Sequence, residues 1–556
     1  MLRRREFVRT SLLAAGAAAC ASRSRFAAAS PAASADSRIE ILLDEPLGTI
    51  SPNLYGHFTE HLGGVIYDGI WVGENSPVAN LQGIRKRLVE EMRKIKAPVV
   101  RYPGGCFADS YNWRDGVGPA DKRPRRTNFW NDAETKSAPE NHKFETNHFG
   151  TNEFVRFCKL IGAEPYLAAN LRSLPAEEFY HWVEYCNSPA GSTTLADLRA
   201  ASGSPEPFNV RFWGVGNESW GCGGNFTPQE YAVEFRRFTT WLPHYGNGQD
   251  LFLVASGPYS EESSWTRGFF EELLRKGPEQ LNSVYGLSLH HYAWNLSRGR
   301  TTDWEKGKGS ALEFEPIDWY ELLREGQRIE EIIGNHWRAM AEFDAQHHVR
   351  LIVDEWGPWY RPGSEATAGN LLEQIPTQRD AVFSAMTLDI FNRHPEKVAM
   401  ANCAQLINCL NSLYLAHEDK FCVTPVGHVF AMYAAHQGGQ SMRTIISSPE
   451  MHYDRDGKPA SFWGLQGSAS LRGKELVLSV VNPHVSQPRE TLISLRGASV
   501  DSGTASTLAS SDIHAHNTFA QPTALEPRPF KIETGRSGAT VVFPPASVTT
   551  LSFRLV

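Results

Sequence analysis

Two short segments of this 556-residue chain carry carboxylates where chemistry is plausible: Trp213-Gly-Val-Gly-Asn217-Glu218 and Val353-Asp354-Glu355-Trp356. Each leaves an apolar run and carries a glutamate at or next to its end. Two carboxyl groups facing each other across roughly 5 Å can carry out a double displacement at a glycosidic carbon. One must hold a proton for the leaving oxygen, and the other must stay ionised to attack the anomeric carbon. Asn217, beside Glu218, is placed to hydrogen-bond the hydroxyl next to the reacting carbon. Taken singly, Asn-Glu reads equally well as a helix N-terminus, and Asp-Glu-Trp as a strand end with a solvated carboxylate. Only their joint placement on facing strands separates the readings. Further polar residues close other apolar runs: His57-Phe-Thr-Glu60-His61, Arg101-Tyr-Pro-Gly-Gly-Cys106, His290-His291-Tyr292 and Gln405-Leu-Ile-Asn408.

The elements that must position these residues can be read from periodicity. Short apolar runs at 53–60, 97–105, 164–171, 210–218, 251–258, 284–292, 349–356 and 398–408 alternate with amphipathic stretches such as 82–95, 152–161, 228–240 and 320–343. Eight strand-like runs interleaved with helices predict an α/β chain built on a (β/α)8 TIM barrel over residues 51–436. The barrel's C-terminal rim is where such folds carry chemistry. From 437 to 556 the texture changes to alternating runs (475–482, 490–495, 539–543, 547–556) between Gly, Pro, Ser and Asn clusters, which predicts an antiparallel, jelly-roll-like β-sandwich. The run at 37–50 is expected to join that sandwich, since a lone strand needs a partner. The Ser/Gly-rich stretch 196–207 reads as a surface loop.

Composition narrows the classes. The chain is 41% hydrophobic and 21% charged with a formal net charge of −7. Residues 1–36 read as a twin-arginine-like signal and linker: Arg3-Arg-Arg-Glu-Phe-Val8 precedes an apolar run from Ser11 to Ala21, too short to span a bilayer. Cleavage around Ala27 to Ala33 would remove six arginines and one acid, taking away +5 and leaving −12. A chain that acidic argues against nucleic acid or an anionic membrane as partner. Export to the periplasm or exterior is the expectation, with lipid attachment at Cys20 a secondary possibility. The eight cysteines show no Cys-x-x-Cys spacing, which speaks against a disulfide scaffold or zinc ribbon and leaves one disulfide open. His290 and His291 are adjacent on a strand and point to opposite faces, so they do not make a metal pair. No cofactor is called for.

Taken together, the blocks Gly56–Leu62, Arg101–Phe107 with Tyr111–Pro119, Trp213–Glu218, Ser288–Tyr292 and Asp354–Trp356 resemble the α-L-arabinofuranosidases of glycoside hydrolase family 51, collinearly from about residue 40 to 555. The resemblance implies that Glu218 is the general acid/base and Glu355 the nucleophile. It implies sugar-hydroxyl contacts from Glu60, Asn217 and Gln405, with Tyr292 near the nucleophile and His290 near the acid/base. It also implies Cys106 beside the sugar through its backbone N–H and Trp130 lining the subsite. The segment 131–145 looks longer than in relatives. The implied substrate is an arabinofuranosyl-containing glycan, and the implied assembly is a hexamer. Alternative readings are a β-xylosidase, an endo-β-glucanase or another furanosidase of the same mechanism. A noncatalytic glycan binder would have no need of two opposed carboxylates.

Overall fold

The computed structural model describes residues 35–131, 144–245, 250–258, 261–297 and 301–556. The segment read as a signal, Cys20 within it, and most of the long stretch 131–145 lie outside the described residues.

Eight parallel strands close into a barrel: β2 (Gly56–Phe58), β3 (Val99–Tyr102), β4 (Glu164–Ala169), β5 (Phe212–Val215), β6 (Phe252–Ala255), β7 (Gly286–Ala293), β8 (Arg350–Pro358) and β9 (Val398–Ala404). They lie in chain order, with β9 hydrogen-bonded to β2. Each overlaps one of the eight apolar runs, with β7 extending one residue and β8 two residues past theirs. Helices cover the outside: α1 (Lys86–Lys94), α2 (Thr151–Ile161), α3 (Ala176–Asn187), α4 (Thr194–Ala201), α5 (Pro228–Thr239), α6 (Ser264–Leu274), α7 (Pro316–Ala341), α8 (Gln378–Arg393) and α9 (Pro425–Tyr433). Their starts follow local rules. Thr227 caps α5 in a reciprocal box with Glu230, with Pro228 at the first turn, and Thr377 does the same for α8 with Asp380.

One expectation is corrected here. The stretch 196–207 is not all loop, because α4 occupies its first half. Thr193 Oγ accepts the Ala196 N–H at 3.1 Å and nucleates the helix. Arg199, fully buried, then ties it down by donating to the carbonyls of Tyr185 (2.7 Å), Ser188 (2.9 Å) and Pro205 (3.1 Å). Serine and glycine content concealed a helix whose stability comes from that buried guanidinium.

The C-terminal part is mostly β. It adds β10 (Gln440–Ser447), β11 (Gln466–Arg472), β12 (Glu475–Asn482), β13 (Arg489–Arg496), β14 (Val500–Leu508), β15 (Arg528–Phe530), β16 (Thr534–Gly535), β17 (Gly538–Phe543) and β18 (Ser547–Leu555). With β1 (Ser37–Thr49) they form a ten-stranded sheet ordered β15-β14-β18-β12-β11-β10-β1-β13-β17-β16. β1 runs antiparallel to β10 and parallel to β13. Its buried and exposed residues alternate at the start, so Ile39 and Ile41 enter a core with Leu478, Phe543 and Phe553. α8 lies between this sheet and the barrel and is therefore buried nearly all round rather than along one stripe. Its polar residues face partners: Asp389 accepts from Ser468 (2.7 Å) and Ser479 (2.5 Å), and Asn392 pairs with Tyr55 (2.9 Å) and Ser468 (3.1 Å).

Candidate active site

The C-terminal ends of the barrel strands converge on a cavity of about 800 Å³. Eight of the nine candidate residues line it: Glu60 after β2, Cys106 and Trp130 after β3, Glu218 after β5, His290 and Tyr292 on β7, Glu355 on β8 and Gln405 after β9. Asn217 does not. Its side-chain oxygen turns to Arg101, accepting from Nη2 at 2.5 Å.

Register explains how β8 presents its acids. The β7–β8 pairing slips between Leu289 and His290: Leu289 lies opposite Val353, but His290 lies opposite Glu355. Asp354 is the extra residue of a bulge, a device that re-aims side chains beside active sites. Both carboxylates consequently turn to the same buried guanidinium. Arg101 Nη1 donates to Glu355 Oε1 at 2.8 Å, and its Nε lies 3.9 Å from Asp354 Oδ2. Asp354 is further held by Tyr166 (2.9 Å) and Asn402 (3.0 Å).

An oxygen of Glu218, a nitrogen of His290 and an oxygen of Glu355 all lie within 4.8 Å of one another. His290 Nδ1 stands 2.9 Å from Glu218 Oε1 and 3.6 Å from Glu355 Oε2, and Tyr292 donates its hydroxyl to Glu355 Oε2 at 2.7 Å. Burial alone pushes the Glu355 carboxyl up. The His290 and Arg101 charges, with the hydrogen bonds from Arg101 and Tyr292, outweigh it and hold the group below the usual carboxylate range. His290 is pushed down by burial, but the charges of Glu355 and Glu218 raise it overall. These three residues are also the only unbonded donor set in the cavity, among the described residues, compact enough to hold a metal ion.

Glu60 is held in place by three donors. Its Oε1 accepts the N–H groups of Gly105 (3.1 Å) and Phe107 (2.9 Å), and its Oε2 accepts from Gln405 Nε2 (3.2 Å). Burial, reinforced by the negative charge of Glu355, pushes it up to about 8. Gly105 leaves space that any side chain would take: a Cβ there would stand 2.9 Å from Glu355 Oε1. The Gln405 Oε1 and Trp130 Nε1 atoms are buried with no protein partner among the described residues.

Sequence reasoning left one disulfide open, and it lies at the cavity wall. Cys106 is bonded to Cys222, joining the loops after β3 and β5, with both sulfurs within 4.8 Å of a Glu218 oxygen. The other described cysteines are free and buried. Reading along the chain missed Tyr166 and Asn402 as supports of Asp354, because nothing in spacing ties residues on β4 and β9 to one on β8. Trp220, Trp294, Trp304 and Trp359 also line the cavity, whereas Trp356, on β8, is buried.

The chain is similar to known proteins along most of its length. Residues 91–306 match the family description "Alpha-L-arabinofuranosidase 1 domain", and residues 354–547 match "Alpha-L-arabinofuranosidase C-terminal domain". An intracellular exo-α-L-arabinofuranosidase of Bacteroides ovatus is 33% identical over 533 residues, covering 95% of this chain and 98% of the relative. An intracellular exo-α-(1→5)-L-arabinofuranosidase of Streptomyces lividans is 30% identical, covering 87% of this chain and 70% of the relative. The crystal structure of a GH51 arabinofuranosidase from Xanthomonas axonopodis pv. citri superimposes with a TM-score of 0.85 at 33% identity, covering 94% of this chain and all of that one. The two named relatives correct the expectation of export and of lipid attachment at Cys20, for both are described as intracellular. A basic start followed by an alanine-rich run is a compositional pattern, and composition alone does not make a segment an address. No helix among the described residues is long and apolar enough to cross a membrane. With a relative this similar along nearly its whole length, and two facing glutamates at the rim of its barrel, the chain belongs to glycoside hydrolase family 51, the α-L-arabinofuranosidases.

Proposed function

We propose that Glu355 is the nucleophile and Glu218 the general acid/base in releasing a terminal α-L-arabinofuranosyl residue from an arabinose-containing glycan. The observation that carries this reading is the approach of the two carboxylates to within 4.8 Å. That close spacing suits direct attack and is shorter than the separation inverting enzymes keep between their two carboxyl groups.

In the first step a Glu355 oxygen bonds to the anomeric carbon while the glycosidic C–O bond breaks, and the Glu218 proton passes to the departing oxygen. The sugar is then held as an ester of Glu355. In the second step Glu218 takes a proton from water, whose oxygen attacks the same carbon and displaces Glu355, so arabinose leaves with its configuration retained. Arg101, Tyr292 and His290 keep Glu355 ionised for the attack. His290, between the two acids, keeps them oriented as the charge on Glu355 is consumed and restored. Glu60 and Gln405 are assigned to the sugar hydroxyls, Cys106 to a backbone contact and Trp130 to a stacking wall. Asn217 is assigned to a sugar hydroxyl through its amide nitrogen, which stands 3.9 Å from Cys222 Sγ, since its oxygen is engaged by Arg101. The four outer tryptophans offer flat apolar faces to the rest of the glycan.

The test is hydrolysis of 4-nitrophenyl α-L-arabinofuranoside by the wild type, Glu355→Ala and Glu218→Ala, with and without azide. Activity should vanish in Glu355→Ala. In Glu218→Ala, azide should restore turnover and yield the α-configured arabinofuranosyl azide. A β-configured azide from Glu218→Ala would exchange the two roles, and turnover surviving both substitutions would remove the assignment.

A further inference from the structure

Asp109 takes no part in the two-carboxylate chemistry, yet its carboxylate is fully buried three residues beyond Cys106. It is spent on backbone. Oδ1 accepts the N–H groups of Leu171 (2.8 Å) and Arg172 (3.2 Å), and Oδ2 accepts that of Asn217 (3.1 Å). Leu171 and Arg172 come after β4, Asn217 after β5, and Asp109 itself after β3. One side chain thus links three consecutive loops at the catalytic rim. Its own carbonyl is engaged in the same direction, accepting from Arg172 Nε and Ser173 Oγ, both at 3.1 Å.

The residue next to Asn217 gives the arrangement its meaning. Glu218 has φ +40°, a left-handed conformation that L side chains rarely adopt and that persists only where surroundings over-determine it. On its far side, the Ser219 N–H is held by Ser256 Oγ (3.1 Å), and the Glu218 carbonyl accepts from Gly221 (2.7 Å) and Gly223 (3.1 Å). On its near side, the side chain that takes the Asn217 N–H is Asp109. The fit is close: a Cβ at Gly223 would stand 1.7 Å from the Asn217 carbonyl and 2.9 Å from Asp109 Oδ2.

We infer that Asp109 is a positioning residue for Glu218, fixing through the Asn217 N–H the left-handed backbone from which the Glu218 carboxyl reaches the leaving-group oxygen. The inference rests on the reading of Glu218 as acid/base. Asp109→Asn is the informative substitution. The amide oxygen can keep the Leu171 and Arg172 donors, but its NH2 then faces the Asn217 N–H, donor against donor. The Cys106–Cys222 disulfide still joins the loops after β3 and β5, which favours a folded variant.

A displaced acid harms only those steps in which it moves a proton. For kcat/KM, which reports bond cleavage in the first step, an alcohol leaving group needs that proton and 4-nitrophenolate hardly does. Asp109→Asn should therefore lose roughly 100-fold in kcat/KM on α-1,5-linked arabinobiose and less than about tenfold on 4-nitrophenyl α-L-arabinofuranoside. Azide should raise its kcat on the aryl substrate. The pre-steady-state burst of nitrophenolate counts competent sites, so loss of folded protein is corrected for. If Asp109→Asn does not accumulate, Asp109→Ser, which keeps a small acceptor without the carboxylate, is measured in the same way. Equal losses on both substrates, or no loss on either, overturn the inference. Glu218→Ala run alongside separates the two readings. If it too fails to discriminate between the substrates, the acid/base assignment falls and the inference with it. If it discriminates and the Asp109 variants do not, only the positioning role falls.

Discussion

Replacing Tyr292 by Phe removes one oxygen from the site and leaves the ring, which packs edge-on against Trp359 at 4.9 Å, in place. The lost hydroxyl is the donor to Glu355 Oε2 at 2.7 Å, one of two side-chain hydrogen bonds to that carboxylate, the other coming from Arg101. A hydrogen bond to an ionised group contributes about 1.5–3 kcal/mol. At 1.36 kcal/mol per unit, its loss raises the Glu355 pKa by about one to two units. The sign follows from the state each form prefers. The hydroxyl favours the carboxylate, so without it the carboxyl takes up a proton at a higher pH, and a protonated Glu355 cannot attack. The acid limb of the pH profile of kcat/KM should therefore move upward by about one to two units. On the plateau above that limb the loss should be smaller, because the charge on Glu355 is already being consumed in the transition state. The limb is an apparent value shared with His290, which lies 3.6 Å from the same oxygen. The assay is kcat/KM for 4-nitrophenyl α-L-arabinofuranoside from pH 3 to 8 in wild type and Tyr292→Phe at constant ionic strength. An acid limb that stays in place, or moves downward, would refute the claim that this hydroxyl helps keep the nucleophile ionised.

His290→Gln removes the imidazolium that lowers the Glu355 pKa, so its acid limb should shift in the same direction, measured in the same assay. Because Glu60 is pushed up to about 8, Glu60→Gln imitates its prevailing state at pH 6 and should keep KM within about tenfold of wild type, whereas Glu60→Ala, which strands the Gly105 and Phe107 N–H groups, should raise KM well beyond that. Asp389→Ala takes the buried acceptor from the hydroxyls of Ser468 and Tyr433, while Ser479 can turn to the Ser468 carbonyl at 3.1 Å; at about 1–3 kcal/mol for each of the two stranded groups, stability in urea should fall by at least about 2 kcal/mol, with aryl-arabinofuranoside turnover at 25 °C retained. Cys222→Ser opens a disulfide that spans 116 residues and should lower unfolding stability by about 2–4 kcal/mol, read from urea denaturation.

Most of the barrel was legible because its signals are local. A strand buried on both faces must be apolar along a short continuous run, and an outer helix must repeat its apolar residues near every fourth position. The runs ending in Glu218 and Glu355 therefore located β5 and β8, as those ending in His57, Arg101 and Tyr292 located β2, β3 and β7. The helix at Thr194–Ala201 was illegible for the converse reason: its anchor, Arg199, reaches carbonyls that precede and follow it, and serine-rich composition hides that. Asn217 illustrates a subtler limit. Its position beside Glu218 was evident, but the turn of its oxygen toward Arg101 depends on a guanidinium on another strand.

By itself the sequence determined which residues are available for chemistry, that they close successive apolar runs, and that a barrel would gather those ends on one rim. It determined this because side-chain type and strand period are properties of a few neighbouring residues. Tertiary structure alone decided the rest. Arg101 meets Glu355 across 254 residues of chain, Cys106 meets Cys222 across 116, and a one-residue slip between β7 and β8 brings His290 level with Glu355. The charge state of the nucleophile belongs to this second class. Burial would raise its pKa, and only groups delivered by β3 and β7 reverse that, so the reactivity of Glu355 follows from barrel closure and not from the residues beside it in the chain.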